Sequence, residues 1–266
     1  ARAGRVWLAE NPGKELLLAL NRLEGEKYLE DSKPWHKALL ALGEENIPVA
    51  FDLRLAGYLL SPNSTEYTVP RLAGEYAVPS PAFPEGEELP DAALRAAWLL
   101  PVCRRLAGEI AANGQEKLLH EVEIPLAQVL ASMELTGFLI DQEELAAFGS
   151  ELRGLVANLE GEIYDLAGRK FNINSPKQLG VLLFEELGLP AGKKTKSGYS
   201  TDAEVLEGLI PHHAIISKIL DYRKYAKLLS TYVEGLKNAV GPDSRIRTSF
   251  NQTETRTGRI SSAEPN

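Results

Sequence analysis

Apolar residues recur at helical spacing through most of the second half of the chain, and this pattern constrains the fold more than any other feature. From Glu121 onward, Leu126, Val129, Leu130 and Met133 repeat every three or four residues, and Gly137 ends the run. Asp141 with Glu144 three positions later is a capping-box start for a long helix reaching about Gly168. Asn174-Ser175-Pro176-Lys177-Gln178 is a second start signal: Ser as cap, Pro at the first helical position, Gln reaching back. That helix ends at Gly188. Thr201-Asp202 caps a shorter helix, and Pro211 opens one of roughly thirty residues. The last carries Ile216, Ile219, Leu220, Leu229, Val233 and Leu236 as an apolar stripe. Each stripe must be buried against a neighbour, so this half reads as packed helices.

The first half mixes strand and helix signals and predicts an α/β body. Residues 5–9 and 47–52 read as strands, and residues 13–23, 34–42, 53–60 and 91–113 as helices. Asp31-Ser32 precedes the second helix as a cap. Pro101 must delay or kink the fourth. Residues 78–90 hold four prolines and many acids, which marks a surface loop. Near the end, residues 245–250 alternate like a strand. The whole reads as an α+β fold.

Charge is divided unevenly along the 266 residues. Residues 1–167 carry 14 Lys and Arg against 27 Asp and Glu, a net of −13; residues 168–266 carry 15 against 10, a net of +5. The total of −8 alone argues against a nucleic-acid partner. A binding protein needs positive charge only where phosphates lie, because salt screens the field within ~8 Å. An acidic body with a basic surface is therefore the better description. No stretch is apolar enough to span a bilayer, no signal-peptide pattern opens the chain, and Cys103 is the single cysteine. These features fit a cytoplasmic protein in which Cys103 is a small buried apolar residue. The chain starts without Met and stops at Pro265-Asn266, and is expected to be a piece of a longer one.

The most specific segment is the last: Gln252-Thr253-Glu254-Thr255-Arg256-Thr257-Gly258-Arg259-Ile260-Ser261-Ser262-Ala263-Glu264-Pro265-Asn266. It resembles the family A DNA polymerases, whose thumb-to-palm junction reads T-x-T-G-R-[L/I]-S-S-x-x-P-N. The resemblance extends back through Leu220 to Tyr232, Lys193 to Thr201, Phe171 to Leu179 and Met133 to Gly137, and so covers the chain from Glu121 onward. It implies three parts: an exonuclease-like α/β domain of the RNase H type over 1–118, a helical thumb over 119–244, and the start of the palm over 245–266. It also implies primer-template DNA and a dNTP as partners, a monomer in the bacterial cytoplasm at the nucleoid, and Mg²⁺ in the parent enzyme. The palm carboxylates that hold Mg²⁺ in that family lie beyond this sequence, so no catalytic or metal-ligating residue is assigned in it.

A polymerase must grip any duplex, through phosphates and through the minor-groove acceptors that every base pair shares. Arg259, long and always charged, suits the minor groove near the primer terminus. The resemblance sets Gln252, Thr255 and Asn266 beside it on template or primer. The basic, hydroxyl-rich stretch with Lys193, Lys194, Lys196, Ser197, Ser200 and Thr201 fits a thumb tip that tracks the backbone. Arg223 and Lys227, four apart on one helix face, could clamp a backbone phosphate. Where the family's K-L-x-S-T-Y segment commonly carries a base, this chain has Leu229. That departure removes one phosphate contact.

The N-terminal part resembles the proofreading domain of the same family through residues 51–62 and 28–31. Two-metal nuclease chemistry needs about four clustered carboxylates. Asp31 falls at one such position, but the D-x-E strand is missing, and Leu94-Arg95-Ala96-Ala97-Trp98 has no acid where a Y-x-x-x-D element belongs. The alternatives to a polymerase piece are a 3′–5′ exonuclease and a noncatalytic DNA-binding module. The residues predict no Mg²⁺-dependent degradation of a single-stranded primer by this chain, and a nuclease activity abolished by Asp31→Ala would overturn that expectation.

Overall fold

The computed structural model describes residues 13–44, 48–81, 90–191, 194–195 and 198–265. The chain divides into two compact units: one built from the residues up to Phe138 together with those from Arg247 onward, the other from Leu139–Ile246. The last helix before Phe138 and the C-terminal segment both belong to the first unit.

Helices dominate the described residues, and every sheet has two short strands. In the first unit the helices are α1 (Lys14–Arg22), α2 (Ser32–Ala41), α3 (Leu53–Leu60), α4 (Val69–Glu75), α5 (Asp91–Ala112) and α6 (Ile124–Thr136). A π-helical turn, Leu118–Glu123, leads into α6. The expected α/β body is represented by one parallel pair, Tyr28–Leu29 with Phe51–Asp52. Of residues 48–52 within the strand expected over 47–52, only Phe51 and Asp52 are strand; Pro48 has no N–H to give a ladder, and residue 47 lies outside the described residues. The strand expected at 5–9 lies outside the described residues.

Asp52 closes that strand and starts α3. Its carboxylate accepts from the backbone N–H of Leu55 at 2.9 Å and from that of Ser32 at 2.7 Å, so one side chain caps α3 and ties it to the start of α2. Asp31 caps α2, accepting from the Lys33 N–H at 3.2 Å. Leu39, Phe51, Leu53, Leu72, Val102, Leu106, Ile110 and Leu119 are buried in this unit. Helix α5 runs through Pro101 instead of starting after it. Cys103 is buried in the same core, and burial pushes its thiol up to about 12, which keeps it inert.

In the second unit α7 (Gln142–Ala167) packs on α10 (Ile215–Lys227). Gly149 of α7 lies close to the π-helical turn that follows α10: a Cβ there would lie 2.8 Å from Val233 Cγ1. Asp141 caps α7 as expected, accepting from the N–H groups of Glu143 and Glu144 at 3.0 Å. Ser175 caps α8 (Pro176–Val181), but Gln178 reaches the N–H of Asn172 at 2.9 Å and not that of the cap. Asp202 caps α9 (Ala203–Leu209). The helix expected from Pro211 begins at Ile215, whose N–H is taken by His213 Nδ1 at 3.1 Å. It continues through a π-helical turn, Leu228–Glu234, into α11 (Gly235–Ala239). No helix among the described residues is long and apolar enough to cross a membrane.

Burial raises the Asp52 carboxyl to about 6, against an ordinary 3.8, even though two N–H groups favour its charged form. The folded chain therefore binds this proton more tightly than the unfolded one. Stability falls as pH rises between about 4 and 6, by up to about 3 kcal/mol. Thermal melts across that window should show the fall in the wild type and lose it in Asp52→Asn; an unchanged slope in the variant would assign the titration elsewhere.

Candidate nucleic-acid interface

The segment singled out by its motif folds as a hairpin in the first unit. Ser249–Asn251 pairs antiparallel with Ser261–Ala263, and residues 252–260 form the connecting loop. Its start is pinned to the helices. Gln252 and Thr253 are buried. The Gln252 amide donates to the Glu123 carbonyl at 3.1 Å and to Glu123 Oε2 at 3.0 Å. Arg54 Nε donates to Thr253 Oγ1 at 3.2 Å, and the Tyr58 hydroxyl donates to the Thr255 carbonyl at 2.7 Å. Ser261 Oγ donates to Glu254 Oε2 at 2.8 Å across the base of the loop.

Beyond Thr255 the loop turns outward. Residues 256–260 are exposed. Gly258 sits at φ +77°, in the left-handed region that other residues enter only with strain. The Thr255 hydroxyl donates to the Arg259 carbonyl and closes the turn. The Arg259 guanidinium makes no hydrogen bond or ion pair with the described residues and projects as an unspent set of donors. Asn266 lies outside the described residues.

The strand that carries this loop is held by a buried carboxylate. Glu134, on α6, is 3 % exposed. Its Oε1 accepts from Lys33 Nζ at 2.7 Å and from the Phe250 N–H at 2.9 Å; its Oε2 accepts from Lys37 Nζ at 2.8 Å. Lys33 Nζ also donates to the Phe250 carbonyl at 2.5 Å, so both polar backbone groups of Phe250 end on this cluster. Burial alone would push the Glu134 carboxyl up, but the two ammonium groups and the Phe250 N–H outweigh it and hold the group below the usual carboxylate range. Arg247 Nε donates to the Leu135 carbonyl at 2.8 Å and fixes the strand entry.

In the second unit, Arg223 of α10 donates to both the carbonyl and the hydroxyl of Thr201. Ser200 Oγ donates to Asp202 Oδ2 at 2.6 Å. Lys227, one turn beyond Arg223, is exposed, and its amino group has no partner among the described residues. Lys194 lies on the pair Lys194–Thr195 with Gly198–Tyr199. Lys193, Lys196 and Ser197 fall outside the described residues. The structure thus gathers Gln252, Thr255 and Arg259 on one loop, and Ser200, Thr201 and Arg223 on one patch with Lys227 nearby. It also gives Gln252, Thr255 and Arg223 protein partners, which the sequence does not show. Glu134, Arg54 and Tyr58 lie in stretches that carry the family resemblance and Lys33 does not, but nothing in the sequence marks any of the four as supporting the loop; for Glu134 a further signal is an acid within an apolar run, Leu130 to Leu135.

Residues 142–266 match the model for DNA polymerase family A. With that match and the relatives described next, the chain belongs to DNA polymerase family A. It is 45 % identical over 258 residues to DNA polymerase I of Geobacillus stearothermophilus, covering 91 % of this chain and 29 % of that protein. It is 46 % identical over 232 residues to DNA polymerase I of Streptococcus pneumoniae serotype 4, covering 82 % of this chain and 26 % of the relative. Among solved structures it resembles the POL domain of Pol1 from M. smegmatis in complex with DNA primer-template and dNTP, with a TM-score of 0.78 and 35 % identity over 95 % of this chain and 44 % of that one. The chain spans about three tenths of the length of the curated relatives it matches.

Truncating Glu134 would leave two ammonium groups and the Phe250 N–H without their acceptor. Glu134→Ala should destabilise the first unit by about 2–3 kcal/mol, less than a fully buried pair that loses one partner, because Lys33 and Lys37 are partly exposed and can return to water. Denaturant unfolding of the two proteins measures this, and a loss below about 1 kcal/mol would show that the cluster is not holding the strand.

Proposed function

We propose that this chain is the duplex-gripping part of a template-directed DNA polymerase. Residues 1–118 are an exonuclease-like remnant, residues 119–244 the thumb, and residues 245–266 the start of the palm. The partners are primer-template DNA and a dNTP, the molecules held by the similar M. smegmatis Pol1 domain in its complex. The observation that carries the reading is Arg259: a guanidinium unpaired among the described residues, on the tip of a loop whose base is fixed by side chains from α3 and the turn before α6. Its fork of donors suits the shared minor-groove acceptors, purine N3 and pyrimidine O2. The basic loop of Lys193, Lys194 and Lys196, with Lys227, supplies sequence-independent attraction to phosphates. Arg223 and Gln252 also hold Thr201 and Glu123, so they shape their loops as well as adding to the DNA-facing surface. A nucleoid-associated, cytoplasmic location follows from that partner.

The reaction of the longer enzyme is attack of the primer 3′-oxygen on the dNTP α-phosphorus, with pyrophosphate leaving. Polymerases of this kind use divalent metal, Mg²⁺ above all, to neutralise the charge that develops. The residues here do not fit that role: among the described residues no three His, Cys, Asp or Glu side chains gather as a metal site. No step through a metal is therefore assigned to this chain. The nuclease reading is disfavoured by the acids themselves. Asp31 is spent on the Lys33 N–H and on Arg54, at 3.1 Å, and Asp52 is buried as a brace.

The test uses a polymerase containing this chain together with the remainder of the palm. Arg259→Ala should lower the single-turnover extension rate on the order of a hundredfold, with a much smaller change in DNA affinity. Arg259→Lys, which keeps the charge and loses the fork, should also be slow. Weaker binding that low salt rescues, with normal single-turnover rates, would make Arg259 a phosphate contact and end the minor-groove assignment.

A further inference from the structure

We infer that Tyr58 is a positioning residue for the Arg259 loop: a rigid phenol in the N-terminal body that sets where the minor-groove arginine stands. The inference rests on the DNA-gripping reading above and deepens it. Two hydrogen bonds in series make the connection. The Tyr58 hydroxyl donates to the Thr255 carbonyl at 2.7 Å, and the Thr255 hydroxyl donates to the Arg259 carbonyl. The second bond closes the turn around Gly258, so the height of Thr255 fixes the height of Arg259.

Tyr58 itself has little freedom. It is 3 % exposed on α3, and its ring meets Tyr67 edge-on, with centroids 6.1 Å apart and planes at 87°. Tyr67 is anchored in turn by its hydroxyl, whose single proton lies between the carbonyls of Ser61 and Ser64, 2.9 and 3.0 Å from the phenol oxygen. The Tyr58 hydroxyl is therefore a fixed point at the surface of the core. Before Thr255 the loop is held by Gln252 and Thr253; after it, residues 256–260 are exposed. Tyr58 thus anchors the loop at the point where it leaves the helical body. A body without nuclease carboxylates keeps, on this view, a mechanical task in DNA synthesis.

Tyr58→Phe removes the donor and keeps the ring in place. In the polymerase that includes the whole palm, it should slow single-turnover primer extension about tenfold, the scale of one lost orienting hydrogen bond, while the dissociation constant for primer-template stays within about twofold. In an Arg259→Ala background the same substitution should have no further effect. Thr255→Val, which removes the second donor, should reproduce the defect, and Thr255→Ser should rescue it. If Tyr58→Phe extends at the wild-type rate while Arg259→Ala is slow, the inference fails and the minor-groove reading stands. An equal effect of Tyr58→Phe with and without Arg259 also overturns it, since the loss then acts elsewhere. A wild-type rate in Arg259→Ala sinks both readings together.

Discussion

A carboxylate as buried as Glu134 survives only if its charge is answered, and here the answer comes from three directions. Two lysines from α2 and one backbone N–H from the C-terminal strand converge on its two oxygens. The geometry works only when α2, α6 and the Ser249–Asn251 strand are all in place. Lys33 tightens the dependence by bonding the Phe250 carbonyl as well. Replacing the cluster with apolar residues could leave stability unharmed, because burying ions is costly. What apolar packing would not supply is register. A strand held by both polar groups of one residue cannot slip by a position, and a slip would turn every side chain of the loop to the other face.

Much of the second unit is legible in the sequence because its signals are local. Asp141, Ser175 and Asp202 stand where caps are expected and are caps, since each side chain serves a backbone group within three residues. Structure and expectation part where another local bond competes. His213 takes the Ile215 N–H, so the helix starts four residues later than Pro211 alone implies. In the first half, a run of apolar residues becomes a strand only where a neighbour pairs with it: of residues 48–52, Phe51 and Asp52 do, against Tyr28 and Leu29, whose pairing no local signal shows.

The site divides the same way. Arg259, Thr255 and Gln252 are visible through a motif, whose residues are contiguous. The side chains that hold them, Tyr58, Arg54, Lys33 and Glu134, lie more than a hundred residues earlier along the sequence. No periodicity or spacing links them, and only the folded chain shows the relation. Two of the segment's residues spend side-chain donors on the protein, Gln252 on Glu123 at the buried base and Thr255 on the Arg259 carbonyl within the loop, while the Arg259 guanidinium has no partner among the described residues. Each side chain already held by the protein has lost its conformational entropy on folding, so of the three only Arg259 would have to be ordered by a ligand at this loop.

The division of the chain has a consequence during synthesis. The second unit is continuous in sequence, Leu139–Ile246, and all its partners have emerged once Ile246 is made. The first unit is split around it, and Lys33 waits 217 residues for Phe250. At roughly 5–20 residues per second, that wait is on the order of ten to forty seconds. Lys33 first waits 101 residues for Glu134, and Glu134 then waits another 116 for Phe250, so the surface that will seat the loop stays open to water meanwhile. Within this stretch, the N-terminal part of the first unit is made before the second unit and completed after it.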